Sequence, residues 1–417
     1  MNRRSFLAVW AGLSAVPVLA RAAELLPRRK PRVVVVGSGF GGATAAAYLR
    51  RAAPDVEVVL VERAGQYVCC PFSNLVLSGL REIGAQTVSL DAYTRTNGIT
   101  LVRAEARDVD PVRRIVSLTD GTLEYDRLIL SPGIDFATDA IGGYDRSSTP
   151  TLMPHAWQAG EQTVLLRRKI AAMRDGGTVV ISIPRMPYRC PPGAYERACQ
   201  IAWYLKREKP KSKVVVLDAN PDVVAKGELF KRAWQQHYAG MIAYTPGQRA
   251  VAIDPQGQAI ETEFERVKGD VINLIPPQRA GEIARRAGVV APESGWCPVD
   301  PVSFESTRVP GIHVVGDACN AAPMPKSAFA ANSQAKAAAY NVAALLAGRS
   351  PSPSVQMNAC YSFVTDQEAI SVSAVYRVAG GKLETVPRTF ATSKAASRAE
   401  GRFAEGWFNS IRADTFG

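Results

Sequence analysis

Histidine is scarce in this chain: His155, His237 and His313 are the three among 417 residues. No close Cys-x-x-Cys pair accompanies them, which argues against a zinc site. Cys-x-x-Cys-His is missing too, so this chain is expected to hold no c-type haem of its own. Apart from the stretch Phe6 to Ala20, no segment approaches the roughly 20 apolar residues that a membrane span needs. Dense Lys/Arg runs with interleaved aromatics are absent, which makes nucleic acid the weakest partner for a chain of formal charge +12. A basic surface of that kind suits anionic lipid or an acidic protein better.

What the N-terminus does have is a targeting pattern. Arg3-Arg4-Ser5-Phe6-Leu7 is a twin-arginine motif, followed by the apolar run and by Ala20-Arg21-Ala22 as a small-residue cleavage site. Residues 1–22 therefore read as a twin-arginine signal for export to the periplasm, a route that carries folded proteins with their cofactor in place. Its removal takes away three arginines and no acid, leaving +9. The apolar fraction of 47% is ordinary for a globular chain, and the length allows two or three domains.

Arg32 to Val36 reads as a buried parallel strand, Gly37-Ser38-Gly39-Phe40-Gly41-Gly42 as a glycine turn, Ala43 to Arg51 as a helix and Val56 to Val61 as a second strand. Glu62 closes that strand, twenty positions after Gly42. This unit is a dinucleotide-binding fingerprint. Gly37 permits the tight turn, Gly39 lets the backbone approach a pyrophosphate, Gly42 lets helix and strand pack, and Glu62 accepts from ribose hydroxyls. Tyr125 to Leu130, ending at Ser131-Pro132-Gly133, and Gly311 to Val315, ending at Gly316-Asp317, read as further strands, with a helix over Ala328 to Leu346. A nucleotide fold that is left and rejoined implies an inserted domain, with strands at Thr178 to Ile183 and Val214 to Leu217. The predicted class is α/β: two Rossmann-like dinucleotide-binding domains, the second inserted in the first, plus a small C-terminal α+β domain. The predicted boundaries are 30–145 with 285–348, 146–284, and 352–417.

These segments together resemble the two-dinucleotide-fold flavoproteins, which include disulfide reductases and sulfide:quinone reductases. Long runs in order carry a closer resemblance. They include Pro154-His155-Ala156-Trp157-Gln158, Arg189-Cys190-Pro191-Pro192-Gly193-Ala194-Tyr195-Glu196-Arg197, Gly295-Trp296-Cys297-Pro298-Val299-Asp300, Pro323-Met324-Pro325-Lys326-Ser327 and Asp414-Thr415-Phe416-Gly417. Over nearly the whole mature chain the sequence is similar to the flavoprotein subunit of flavocytochrome c sulfide dehydrogenase. That resemblance implies FAD. It makes Asp317 the acceptor for the ribityl chain, Pro132 and Gly133 a closure over the cofactor, and Lys326 a neighbour of it. Cys70 matches the cysteine that carries the flavin covalently, although the adjacent Cys69 leaves the choice between them open. Cys190 and Cys360 match a redox disulfide beside the flavin, and Glu196 its acid/base partner.

Two readings of that cysteine pair stand side by side. In one, hydrosulfide attacks the disulfide and the released thiolate donates to the flavin. In the other, Cys190–Cys360 is an ordinary stabilising bridge of an exported protein and Glu196 a solvated helix residue. Cys199, Cys297 and Cys319 read by default as small buried apolar residues. The strand Thr178 to Ile183 leads into Pro184-Arg185-Met186-Pro187 rather than a glycine turn, so the nicotinamide site looks lost. Residues 407–414 look too short and mixed for a membrane-facing helix. The expected function is periplasmic sulfide oxidation with electrons passing through FAD to a c-type cytochrome subunit or soluble cytochrome c, without stable membrane insertion. The alternatives are a sulfide:quinone reductase or thiol oxidoreductase of the same fold, or a non-catalytic flavoprotein partner.

Overall fold

The computed structural model describes residues 24–28 and 30–417. The expected export signal lies outside them. The chain begins with β1 (Arg32–Val36), α1 (Phe40–Ala52), β2 (Glu57–Val61), the short α2 (Ser73–Ser78), β3 (Thr100–Val102) and β4 (Arg127–Leu130). A second set follows: β5 (Thr178–Ile183), α3 (Gly193–Glu208), β6 (Lys213–Asp218), α4 (Gly227–Tyr238), β7 (Ile242–Pro246) and β8 (Val271–Leu274). The chain then returns with β9 (Ile312–Val314) and α5 (Ala328–Leu346). It finishes as β10 (Gln356–Phe363), β11 (Ala369–Ala379), β12 (Lys382–Thr385) and α6 (Arg398–Phe416).

The first sheet has the order β9-β4-β1-β2-β3 and is wholly parallel. It joins residues 32–130 to 312–314, as a split nucleotide fold requires. Val34 faces Val59 and Leu128 across it, and these residues are fully buried. Valine suits a strand covered on both faces, because its branched side chain packs on the pleat. The second sheet, β7-β6-β5-β8, is also parallel. The third, β10-β11-β12, is antiparallel, with α6 packed on it.

The turn after β1 requires its glycines. Gly37 has φ +96, and a Cβ there would lie 2.3 Å from Ser131 O; a Cβ on Gly42 would lie 1.8 Å from Gly37 O. Helix α1 can sit against the strand only without those atoms.

The C-terminal helix differs from the expectation for residues 407–414. It has 19 residues, capped at its start by Ser397 Oγ, which accepts from Glu400 N–H. Its apolar positions Ala404, Phe408, Ile411 and Phe416 are buried, so that face is spent on the protein itself. Among the described residues no helix is long and apolar enough to cross a membrane. The end of α6 is tied to α1. Thr415 Oγ1 meets Thr44 Oγ1 at 3.2 Å, and Asp414 accepts from Tyr48 Oη at 2.6 Å and from Asn332 Nδ2 at 2.7 Å.

Candidate functional site: a cysteine pair between two cavities

A cavity of about 420 Å³ opens at the C-terminal ends of the first sheet's strands. Gly37 and Gly39 reach it after β1, Glu62 after β2, Pro132 and Gly133 after β4, and Asp317 after β9. Strand ends at this edge are where open α/β sheets bind ligands. The Glu62 carboxylate is aimed by Ser38, whose Oγ donates at 2.8 Å and whose N–H donates at 3.2 Å. Helix α1 starts at Gly39 with no side-chain cap and no acid in its first turn, so its N–H groups stay available to an anion. Asp317 Oδ1 is buried without a hydrogen-bond partner. Burial pushes that carboxyl upward, while Arg189 and Lys326 pull it down. An orphaned acceptor, a glycine cradle and an uncapped helix start fit the polyol chain and pyrophosphate of a flavin dinucleotide.

Of the two adjacent cysteines, Cys70 lines this cavity. Cys69 is fully buried away from it, its thiol pushed up to about 12 chiefly by burial. Lys326 sits differently from the expectation. It lines not this cavity but a second one, where its ammonium donates to Asp317 O at 2.8 Å and Cys319 O at 2.7 Å and lies 3.7 Å from the Trp296 ring centre. Gly42 keeps its packing role below the cavity surface.

That second cavity, of about 660 Å³, is bounded by the turn after β5 and by β10 and β11. Cys190 and Cys360 line both cavities and so form part of the wall between them. Cys190 sits in the proline-rich turn at φ +54, held by its N–H to Lys326 O at 2.8 Å. A left-handed backbone at a non-glycine residue is a strained conformation of the kind found at functional sites. Gly193 makes room for its sulfur, since a Cβ there would lie 2.8 Å from Cys190 Sγ. Cys360 comes from β10. Both thiols are unbonded in the structure. Burial raises both, Cys190 well above the ordinary range, and the nearby Cys360 and Glu196 add to that rise.

Glu196 lies beside them on α3 and is 5% exposed, so it is not the solvated helix residue of the alternative reading. It accepts from Asn74 Nδ2 at 2.9 Å and from Phe363 N–H at 2.8 Å. Burial lifts its carboxyl above the usual range, opposed by those two hydrogen bonds and by Lys226 and Arg197.

Sequence reasoning missed the cations around this pair. Arg197, buried, donates to the carbonyls of His155 and Ala156 and to Asn74 Oδ1 and Asn273 Oδ1, with its guanidinium 4.9 Å from the Trp157 ring centre. Burial lowers it to about 10. Arg189 lies 3.8 Å from Asp317 Oδ2 and helps to pull the Cys190 thiol down. Lys226, at the start of α4, is nearly buried near Cys360. In sequence these look like helix and loop charges that would be solvated.

The second fold's own crevice is filled. Asp218 ends β6, where a nucleotide fold would bind ribose, but it accepts from Tyr195 Oη at 2.7 Å and Tyr244 Oη at 3.0 Å. Phe230 and Trp234 pack on the same rings. Among the described residues no group of His, Cys, Asp and Glu could hold a metal.

Three family models match the chain in succession. Residues 31–151 match the pyridine nucleotide-disulphide oxidoreductase family. Residues 163–276 match the central region of the sulfide dehydrogenase [flavocytochrome c] flavoprotein chain, and residues 351–416 the flavin-binding region of flavocytochrome c sulphide dehydrogenase. The sulfide dehydrogenase [flavocytochrome c] flavoprotein chain of Chlorobaculum thiosulfatiphilum is 60% identical over 45 residues, which are 11% of this chain and 94% of that sequence. The chain belongs to the flavocytochrome c sulfide dehydrogenase flavoprotein family. It is thus an FAD-binding oxidoreductase. A mitochondrial sulfide:quinone oxidoreductase of Mus musculus is 22% identical to it over 322 residues, covering 72% of this chain and 68% of that one. The solved sulfide:quinone oxidoreductase of Aquifex aeolicus shares its fold with a TM-score of 0.75 at 19% identity, covering 92% of each chain.

Proposed function

We propose that this flavoprotein oxidises sulfide in the periplasm, after twin-arginine export, and passes the electrons through FAD to a c-type cytochrome subunit or soluble cytochrome c. The observation that carries the reading is the placement of Cys190, Cys360 and buried Glu196 at the wall between two cavities. In this reading Cys190 and Cys360 form a disulfide. Hydrosulfide forms a bond to one sulfur while the other leaves as a thiolate, so the disulfide gains the two electrons that the sulfide loses. Glu196, raised by burial, moves the proton between the incoming sulfur and the thiolate. Arg189 and Arg197 hold negative charge at the pair.

The first cavity's residues would hold FAD: Gly37, Gly39 and the start of α1 its pyrophosphate, Glu62 a ribose, Asp317 Oδ1 the ribityl chain, and Cys70 its covalent link. When bound, FAD supplies the two-electron acceptor. Tyr361 and Trp407, tilted at 48° with ring centres 5.7 Å apart, line that cavity and in this reading form the exit for electrons.

Quinone as acceptor is the second reading, favoured by the kinship with sulfide:quinone oxidoreductases. The packed apolar face of α6 disfavours it, since Ala404, Phe408, Ile411 and Phe416 are spent on the protein and Phe403 is the large apolar side chain that helix leaves well exposed. A non-catalytic role would not call for Cys190, Cys360 and Glu196 in one place. Anaerobic sulfide should bleach the flavin, and cytochrome c, not a soluble quinone, should restore its colour. Restoration by quinone alone would favour the second reading; no bleaching would end both.

A further inference from the structure

The second cavity contains a buried cation that the proposed chemistry has not used. Lys226 is 8% exposed and lines this cavity but not the first. Its ammonium meets three uncharged oxygens, Ser362 Oγ at 2.8 Å, Ile370 O at 3.4 Å and Cys360 O at 3.5 Å, and stands 5.7 Å from the Phe230 ring centre, with no carboxylate in hydrogen-bond contact among the described residues. One of these three contacts is of ordinary length, so the charge is under-satisfied. A buried ammonium without close compensation is costly and rarely kept. The backbone adds a second cost, because Lys226 is a non-glycine residue at φ +57, heading α4. The titratable groups facing it are Cys360, Glu196, Cys190 and, from α6, Glu400, whose Oε2 is itself buried without a partner.

The charges are disposed unequally about the pair. Arg189 acts on Cys190 and lines the first cavity; Lys226 acts on Cys360 ahead of Cys190 and lines the second. The second cavity is far larger than one hydrosulfide and reaches solvent beside Met186 and Phe390, which are 40% and 66% exposed.

We propose that Lys226 is the anchor for the anionic sulfur substrate, drawing it through the second cavity onto Cys360 and leaving Cys190 as the thiolate on the flavin side. This rests on the reading of Cys190–Cys360 as a disulfide. The incoming sulfur bonds to Cys360 Sγ, and the Cys360–Cys190 bond breaks. The electron pair of that bond stays on Cys190, beside Arg189. For hydrosulfide the product is a Cys360 persulfide, whose proton passes to Glu196; the sulfide sulfur is oxidised by two electrons and the disulfide reduced by two.

Sulfite tests this without flavin turnover. It is an anionic sulfur nucleophile that cleaves disulfides to a stable S-sulfonate on one cysteine and a thiolate on the other. The oxidised holoprotein is treated with sulfite, alkylated and mapped by peptide mass. The adduct is expected on Cys360 and the alkyl group on Cys190. Lys226→Met should slow adduct formation roughly 10–100-fold, the worth of one charge-assisted hydrogen bond. Lys226→Arg should stay within a few-fold of wild type. If the Met variant does not fold, Lys226→Gln, which can still bond Ser362, carries the same expectation. An adduct on Cys190, or a wild-type rate in the neutral variants, overturns the anchor alone. Absence of a Cys190–Cys360 cross-linked peptide before treatment overturns the disulfide reading and the anchor with it.

Discussion

The two parallel sheets of this chain use the same strand, turn and helix plan to opposite ends. After β1 the turn is glycine-rich, its helix start is uncapped, and the acid after β2 faces a cavity. After β5 the turn is built from prolines, ends in strained Cys190, and the acid ending β6 is buried beneath two tyrosine hydroxyls. The first turn exposes backbone N–H groups, which suits a phosphate. The second removes them and offers a sulfur instead. A nucleotide fold need not keep its nucleotide: changing the turn converts a cofactor cradle into the mount for a thiol, and the strands beneath need not move.

The sharpest way to break this comparison is at the thiols. Cys190→Ser and Cys360→Ser are each expected to remove nearly all sulfide-dependent flavin bleaching while the first fold keeps its flavin. A purely structural bridge would behave otherwise, costing about 2–4 kcal/mol and lowering the melting temperature by several degrees. Variants that melt early yet bleach at the wild-type rate would return the second turn to a structural role. Next in size, Glu196→Gln should slow turnover by about 10²–10⁴-fold with flavin content unchanged. Steady-state rates alongside absorbance spectra of the purified variant check both halves of that statement.

The smallest effect concerns stability and pH. Buried His313 belongs to the first sheet and His155 to the thiol side; burial lowers both from 6.5 to about 4. The unfolded chain therefore takes up these protons first. The stability is fully present above pH 6.5 and is lost as pH falls from 6.5 to 4. Complete loss is worth about 3 kcal/mol per histidine. Melting temperature measured across that window should fall steeply, and His313→Gln should flatten the curve. An unchanged slope would mean that His313 is not held neutral.

Local patterns were readable in the sequence where chemistry is local. The turn Gly37–Gly42 and Glu62 follow from backbone sterics, and helix Ala328–Leu346 runs between the bounds its composition suggests. The class of the fold followed from the split between that turn and Asp317. The cation shell did not follow, because Arg197 and Lys226 owe their burial to residues scattered from Asn74 to Ile370. Nothing in a helix such as α3 tells which of its charges will be covered by β10. The length of α6 was also hidden, since its apolar face is spaced widely and stabilised by packing on Phe72 and Tyr67 more than by propensity.

The bond between Thr44 and Thr415 spans 371 positions of chain. At ribosomal speeds of about 5–20 residues per second, α1 waits roughly 20–70 s for the segment that closes over it. The domain whose synthesis starts first is thus among the last to be finished. Until Asp414 reaches Tyr48 and Asn332, the nascent cradle lacks one of its supports.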